Sequence, residues 1–163
     1  MSGIAFNEEQ VRIFRERTRR SEELWRKTKE LIPTGHAGGM GAFHPHPIVV
    51  ESGKGCWLWD VDGNRYLDLR LGDWVLIHGH SDEDIRQAVH EQMGKVVQVG
   101  APEWDLGYRM SELLVERMPS IDKVRFFVSG TDANICALRL ARAFTGRSLV
   151  AKSIGGYHGT SDE

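Results

Sequence analysis

The spacing of apolar residues changes twice between residues 123 and 153. Residues 123–128 (KVRFFV) form a short run of β-branched and aromatic side chains, which predicts a strand. From Asp132 the apolar positions recur at helical spacing and stop at Gly146, which predicts a helix closed by a glycine. Residues 148–153 (SLVAKS) again have strand character. The order strand–helix–strand predicts a right-handed βαβ unit in a parallel sheet.

The pattern upstream predicts helices around a small antiparallel meander. In order, these elements are one or two amphipathic helices within residues 6–31, three strands within 48–69 with turns at 53–55 and 61–64, a helix over 84–93 capped by Ser81, and a helix over 104–118. The residues between the first helices and the meander, 33–47, are predicted to form a loop.

The composition and charge of the chain indicate which class of protein it belongs to and which kinds of partner are not expected. Apolar residues make up 40% and charged residues 27% of the chain, which is typical of a soluble globular domain. A net charge of −2, no apolar run long enough to span a bilayer and no secretion signal argue against nucleic-acid and membrane partners. The arginines near the amino terminus alternate with glutamates, which favours a solvated helix face with ion pairs. Cys56 and Cys136 are predicted to be buried thiols in a reducing compartment, so we expect a cytoplasmic protein.

The candidate chemistry lies at the glycine break between the strand and the helix. Ser129, Gly130 and Thr131 separate these two elements. Unpaired amides and the positive end of the helix dipole would converge there on a bound phosphate. The alternative is that the hydroxyl residues only cap the helix. A second glycine-rich loop, 155–159, follows the next predicted strand, at the edge where open α/β sheets bind their ligands.

Other ligand sites have weaker support in the sequence. His44 and His46 have no Cys, Asp or Glu at metal-ligand spacing, so no metal site is predicted. Neither the dinucleotide-binding glycine motif nor the P-loop motif occurs in the chain.

Several ordered blocks of this sequence resemble class III aminotransferases, which use pyridoxal 5′-phosphate (PLP). The blocks are SGTDAN, ALRLARAFTGR and GGYHG, with LIPTG and GKGCWLWDVDGNRYLDLRLGDW upstream, and the likeness runs from about Leu31 to the last residue. The closest likeness is to the glutamate-1-semialdehyde 2,1-aminomutase branch. The resemblance implies an α/β fold of the aspartate-aminotransferase type (fold type I). It divides the chain into an amino-terminal helix and loop (1–47), a small α+β segment (48–100) and the start of the large PLP-binding domain with its mainly parallel sheet (101–163).

The resemblance also implies roles for particular residues. Ser129, Gly130 and Thr131 would bind the cofactor phosphate, Tyr157 would stack on the pyridine ring, and His158 would lie beside it.

Substrate contacts are implied with less sequence support. Trp74 and Glu103 would face the substrate, although the family often has its aromatic residue at the position of Asp73. Glu103 is equally well explained as an exposed acid that complements the dipole of the helix that follows it. A small-molecule amino donor, an oxo-acid or aldehyde acceptor and a homodimer are the expected partners.

The family's Schiff-base lysine lies beyond the phosphate loop and has no match here. The lysines in this chain are Lys27, Lys29, Lys54, Lys95, Lys123 and Lys152. We therefore expect the amino-terminal portion of an enzyme for PLP-dependent amino-group transfer, without covalent catalysis of its own. The alternatives are a 2,1-aminomutase-type isomerase, or a non-catalytic remnant that binds a phosphate-bearing ligand or mediates oligomerisation.

Overall fold

The computed structural model divides the chain into two units, Met1–Val97 and Gln98–Glu163. It describes residues 7–35, 37, 43–100 and 102–161. The division into segments 1–47, 48–100 and 101–163 stays a prediction.

Two amphipathic helices open the first unit, as the apolar stripe predicts. They are α1 (Glu8–Arg17) and α2 (Arg19–Leu31). The predicted ion pairs form on their exposed faces: Arg12 bonds Glu16 at 2.8 Å, and Lys27 bonds Glu23 at 2.6 Å. Part of the predicted loop at 33–47, residues 36 and 38–42, lies outside the described residues.

A three-stranded antiparallel sheet follows and confirms the predicted meander. Its strands are β1 (Val50–Lys54), β2 (Trp57–Asp60) and β3 (Arg65–Leu67), in the order β1–β2–β3. Lys54 pairs with Trp57, so the first turn consists of Gly55 and Cys56 and is shorter and later than the predicted turn at 53–55. Cys56 is therefore exposed in a turn, whereas a buried position in a strand was predicted; Cys136 is half-buried.

Polar contacts join the β2–β3 turn to the start of α2. The Asp62 carboxylate accepts hydrogen bonds from the Arg20 amide (2.7 Å), the Ser21 amide (2.9 Å) and the Ser21 hydroxyl (2.7 Å). Asp60 is fully buried and accepts a 2.7 Å bond from the Tyr66 hydroxyl. Burial and that hydrogen bond raise the pKa of Tyr66 to about 12. The turn thus fixes the direction in which α2 leaves the sheet.

His46 is buried beside the same junction. Its Nδ1 lies 3.0 Å from the Pro47 carbonyl oxygen and its Nε2 lies 3.4 Å from the Thr18 hydroxyl oxygen. Across the part of the chain that the structure describes, no three His, Cys, Asp or Glu side chains gather as metal ligands would.

The last helix of the first unit begins one residue earlier than predicted, and its cap is a different residue. After a short turn, α3 (Leu71–Trp74), the helix α4 spans Glu83–Met93. Asp82 caps α4 by accepting a 3.1 Å bond from the Ile85 amide. The prediction of Ser81 as the cap is wrong: the Asp82 side chain makes the capping bond, and Ser81 has φ +53°, outside the backbone conformation typical of an N-cap.

The second unit contains two long helices, α5 (Asp105–Arg117) and α6 (Gly130–Thr145). Gly146 ends α6 in the left-handed conformation with φ +68°, as predicted. Segments 123–128 and 148–153 are not strands here, which corrects the predicted βαβ pairing. A strand exists only where its backbone bonds to a neighbouring strand, and within the described residues the one sheet of named strands is the antiparallel sheet of the first unit.

Apolar helix faces are largely exposed in this structure. Ile85 and Val89 on α4 are 50% and 53% exposed, and Phe144 on α6 is 90% exposed. Among the described residues no apolar side chain is buried. Within the same ranges, none of the helices combines the length and the apolar character needed to cross a bilayer.

Candidate phosphate-binding site

Ser129 directly precedes α6, has extended backbone and caps the helix. Its hydroxyl oxygen accepts a 3.2 Å bond from the Asp132 amide, and its hydroxyl donates to Asp132 Oδ2 at 2.6 Å. The Ala133 amide donates to the Ser129 carbonyl oxygen at 3.1 Å. Two amides of the first turn are thus bonded within the helix start, and the capping alternative holds for the Ser129 side chain.

The amides of Gly130 and Thr131 differ from their neighbours. Within the described residues, neither amide donates a hydrogen bond. Both lie at the positive end of the dipole of a 16-residue helix. Gly130 is exposed, and a Cβ built on it would meet no atom within 4 Å. Two unbonded donors beside open space can bind an anion such as a phosphate group.

The second glycine-rich loop lies against this first turn of α6. The Thr160 amide donates to the Thr131 hydroxyl oxygen at 3.2 Å, and Asn134 Nδ2 donates to the His158 carbonyl oxygen at 2.9 Å. Gly159, with φ +101°, lies so close that a Cβ there would be 2.2 Å from Thr131 Oγ1. The Thr131 hydroxyl hydrogen is still available for donation, because the Thr160 contact uses only its oxygen.

His158 and Tyr157 belong to this loop, and their surroundings differ. The half-buried His158 ring contacts the ammonium group of Lys152 through Nε2, while its carbonyl is bound by Asn134. Tyr157 is 74% exposed, so its ring is accessible to a ligand. The structure therefore brings together Thr131 and the loop that carries His158. The ligand roles of Ser129, Gly130, Thr131, Tyr157 and His158 stay predictions.

Trp74, the first predicted substrate residue, belongs to the first unit. It ends the α3 turn, in which Leu71, Asp73 and Trp74 all have positive φ, and its side chain is 75% exposed. The Asp68 carboxylate supports this turn by accepting bonds from the Arg70 and Leu71 amides at 2.8 and 3.0 Å. Non-glycine residues in left-handed backbone are sterically costly, and such turns concentrate at functional sites.

Glu103, the second predicted substrate residue, belongs to the other unit. It is exposed and directly precedes Trp104, the N-cap residue of α5. The substrate roles of Trp74 and Glu103 stay predictions.

Three residues of the site were not predicted from the sequence. Asp132, three positions after Ser129, fits the capping-box spacing, and that signal was available. Asn134 and Thr160 make their contacts across a loop, so no local pattern marks them.

Residues 40–163 match the class-III aminotransferase family, and the chain belongs to that family. A glutamate-1-semialdehyde 2,1-aminomutase from Methanothermobacter thermautotrophicus is 41% identical over 144 residues, which covers 88% of this chain and 34% of the relative. The structure of an omega-transaminase from Sphaerobacter thermophilus superposes with a TM-score of 0.82 at 37% identity, covering 87% of this chain and 32% of that one. A transaminase structure with PLP bound gives a TM-score of 0.84 at 34% identity, covering 89% and 34%.

These comparisons confirm the family and the fold type that the sequence resembles. The chain spans about a third of the length of the curated relatives that it matches.

The residues at the start of α6 fit the phosphate group of PLP. A phosphate monoester needs several donors around a small space, and the Gly130 amide, the Thr131 amide and the Thr131 hydroxyl supply three of them. Ser129 fits less well, because its hydroxyl already donates to the Asp132 carboxylate.

Proposed function

We propose that this chain binds PLP at the start of α6 and belongs to an enzyme that transfers an amino group between small molecules. The observation that supports this proposal most directly is the pair of unbonded amides, Gly130 and Thr131, with the glycine-rich loop bound beside them. Support comes from the family match and from the PLP-bound transaminase of similar structure.

The chain's own residues would bind and orient the cofactor. The amides of Gly130 and Thr131 and the Thr131 hydroxyl would hold the phosphate, and the exposed Tyr157 ring would stack on the pyridine. When bound, PLP supplies an electron sink that makes the bonds of an attached amine reactive. An amino acid or amine donor, and an oxo-acid or aldehyde acceptor, are the proposed substrates. Trp74 and Glu103 are the proposed substrate contacts.

A 2,1-aminomutase activity is the second candidate. The curated relative at 41% identity carries that name, whereas the omega-transaminase superposes at 37% identity. We propose that both reactions would use the same phosphate seat, formed by the Gly130 and Thr131 amides and the Thr131 hydroxyl, so the seat can be tested before the substrate is known. We also propose, from the family, that the whole enzyme is a cytoplasmic homodimer.

The first prediction concerns the Thr131 hydroxyl. Thr131→Val keeps the shape of the side chain but removes the hydroxyl, so we expect about tenfold weaker binding of pyridoxamine 5′-phosphate, as for loss of one hydrogen bond to a charged group. Fluorescence titration of the purified chain measures this affinity. This ligand has no aldehyde, so it cannot react with surface lysines and obscure the result.

Two controls belong to this experiment. Thr145→Val removes a hydroxyl at the other end of α6, where Thr145 donates to the Ala141 carbonyl oxygen at 2.8 Å, and should leave the affinity unchanged. Pyridoxamine, which lacks the phosphate, should bind much more weakly than its phosphate ester. Equal affinity for the two ligands in the unmodified chain would refute the phosphate seat.

A further inference from the structure

Asn134 lies one helical turn after Gly130 on α6. Its side-chain amide donates to the carbonyl oxygen of His158, 24 residues further along the chain, at 2.9 Å. The next two residues of that loop also contact α6: Gly159 packs against Thr131, and the Thr160 amide donates to the Thr131 hydroxyl oxygen. The segment 158–160 is therefore attached to the first turns of α6 by one side-chain amide and one side-chain hydroxyl.

The attachment of segment 158–160 affects Tyr157, the residue immediately before this segment. The loop has positive φ at Gly155 and Gly159, and glycine backbone has wide conformational freedom unless contacts restrict it. Tyr157 is 74% exposed, so its own packing does little to fix it. The Asn134 bond holds the carbonyl of His158, the residue that directly follows Tyr157, and so restricts where the tyrosine ring can lie relative to the α6 amides.

We infer that Asn134 is a positioning residue for the cofactor ring: it holds the Tyr157–His158 segment beside the phosphate seat without touching the phosphate. This inference rests on the proposed function. Under this inference the affinity for the cofactor has two separate contributions. The amides of Gly130 and Thr131 would bind the phosphate, whereas Asn134 would act on the ring through Tyr157.

The test compares pyridoxamine 5′-phosphate and inorganic phosphate as ligands of the full 163-residue chain and of two Asn134 variants. Asn134→Leu has similar size but no donor, and Asn134→Gln keeps an amide donor. We expect Asn134→Leu to weaken pyridoxamine 5′-phosphate about fivefold, which corresponds to loss of a ring-stacking contact. Its affinity for inorganic phosphate should stay within about twofold of the unmodified chain, and Asn134→Gln should recover most of the loss. Thr145→Val is the matched control on the same helix.

Two results would overturn the inference. Equal weakening of pyridoxamine 5′-phosphate and inorganic phosphate would place the effect on the helix start, and unchanged affinity for both would remove the positioning role. Far-UV circular dichroism checks that each variant retains its helices.

If the proposed function itself is wrong, the titrations would give a different result from the two above. In that case the unmodified chain would bind pyridoxamine and its phosphate ester equally. Hydrogen exchange at the Thr160 amide then still tests the attachment itself: faster exchange in Asn134→Leu supports it, and unchanged exchange overturns it.

Discussion

Asp62 caps a helix from a distant part of the chain. Thr18, the residue that precedes α2, makes no side-chain capping bond, and the Asp62 carboxylate instead bonds the amides of Arg20 and Ser21 across 42 and 41 residues. Burial raises the pKa of this carboxyl, but hydrogen bonds from Ser21 and Arg20 outweigh burial and hold the pKa below its usual value. Asp62 is thus one of the side chains that join the sheet to the helices, together with Asn64, whose Nδ2 donates to the Arg17 carbonyl oxygen at 2.8 Å.

The pH dependence of folding tests this contact. A carboxyl whose pKa is lower in the folded state stabilises the fold above its unfolded pKa of 3.8, and this stabilisation is lost as the pH falls through the lower folded value. We expect Asp62→Ala to lower the free energy of unfolding by about 1–2 kcal/mol at pH 7. The difference from the unmodified chain should shrink below about pH 4. Urea unfolding at several pH values measures this difference in the free energy of unfolding.

The control for this prediction is the exposed Asp122, which lies outside the helices and strands. Asp122→Ala should change the unfolding free energy by less than about 0.5 kcal/mol at every pH. A constant difference between Asp62→Ala and the unmodified chain from pH 7 to pH 3 would contradict the linkage.

At the scale of single elements, helix caps depend on backbone conformation more than on residue type. Ser81 and Asp82 are both good capping residues, and the sequence does not separate them. The structure does, because Ser81 lies in left-handed backbone after the bridge between Gly55 and His80, whereas Asp82 has φ −56° and ψ 130° and its side chain caps the helix. The start of α4 thus closely follows the bridge between His80 and the β1–β2 turn.

A pair of alanine substitutions tests this assignment. We expect Asp82→Ala to lower the free energy of unfolding by about 1 kcal/mol, since the Ile85 amide loses its acceptor. Ser81→Ala should cost less than about 0.5 kcal/mol, because its side chain caps nothing. Thermal or urea unfolding compares the two. A larger cost for Ser81→Ala would restore the cap that the sequence predicts.

The elements that could be predicted from the sequence are those determined by local spacing. The helices α1, α2, α5 and α6 and the β1–β2–β3 meander have periodic apolar positions and turn residues at their ends. Segments 123–128 and 148–153 have equally clear strand composition, yet a strand also requires a hydrogen-bonded neighbour, which no local pattern contains. For the same reason the glycine break at Gly130 was predictable, whereas the contact of Asn134 with His158 was not.

At the scale of the whole molecule, the chain is about a third of its curated relatives in length and leaves the apolar faces of its helices exposed. The contacts that build the proposed phosphate seat nevertheless all lie within one unit, Gln98–Glu163. The seat needs only the start of α6 and the loop at 158–160. Phosphate binding is therefore expected of this chain itself, whatever substrates the whole enzyme uses.

The most direct measurement is a titration of the isotopically labelled chain with inorganic phosphate, followed by amide chemical shifts in proton–nitrogen NMR spectra. We expect the largest downfield shifts at the Gly130 and Thr131 amides, which have no partner among the described residues. The Asp132 and Ala133 amides, already bonded to Ser129, should move much less. Unmoved Gly130 and Thr131 resonances at saturating phosphate, or larger shifts elsewhere in the chain, would contradict the account.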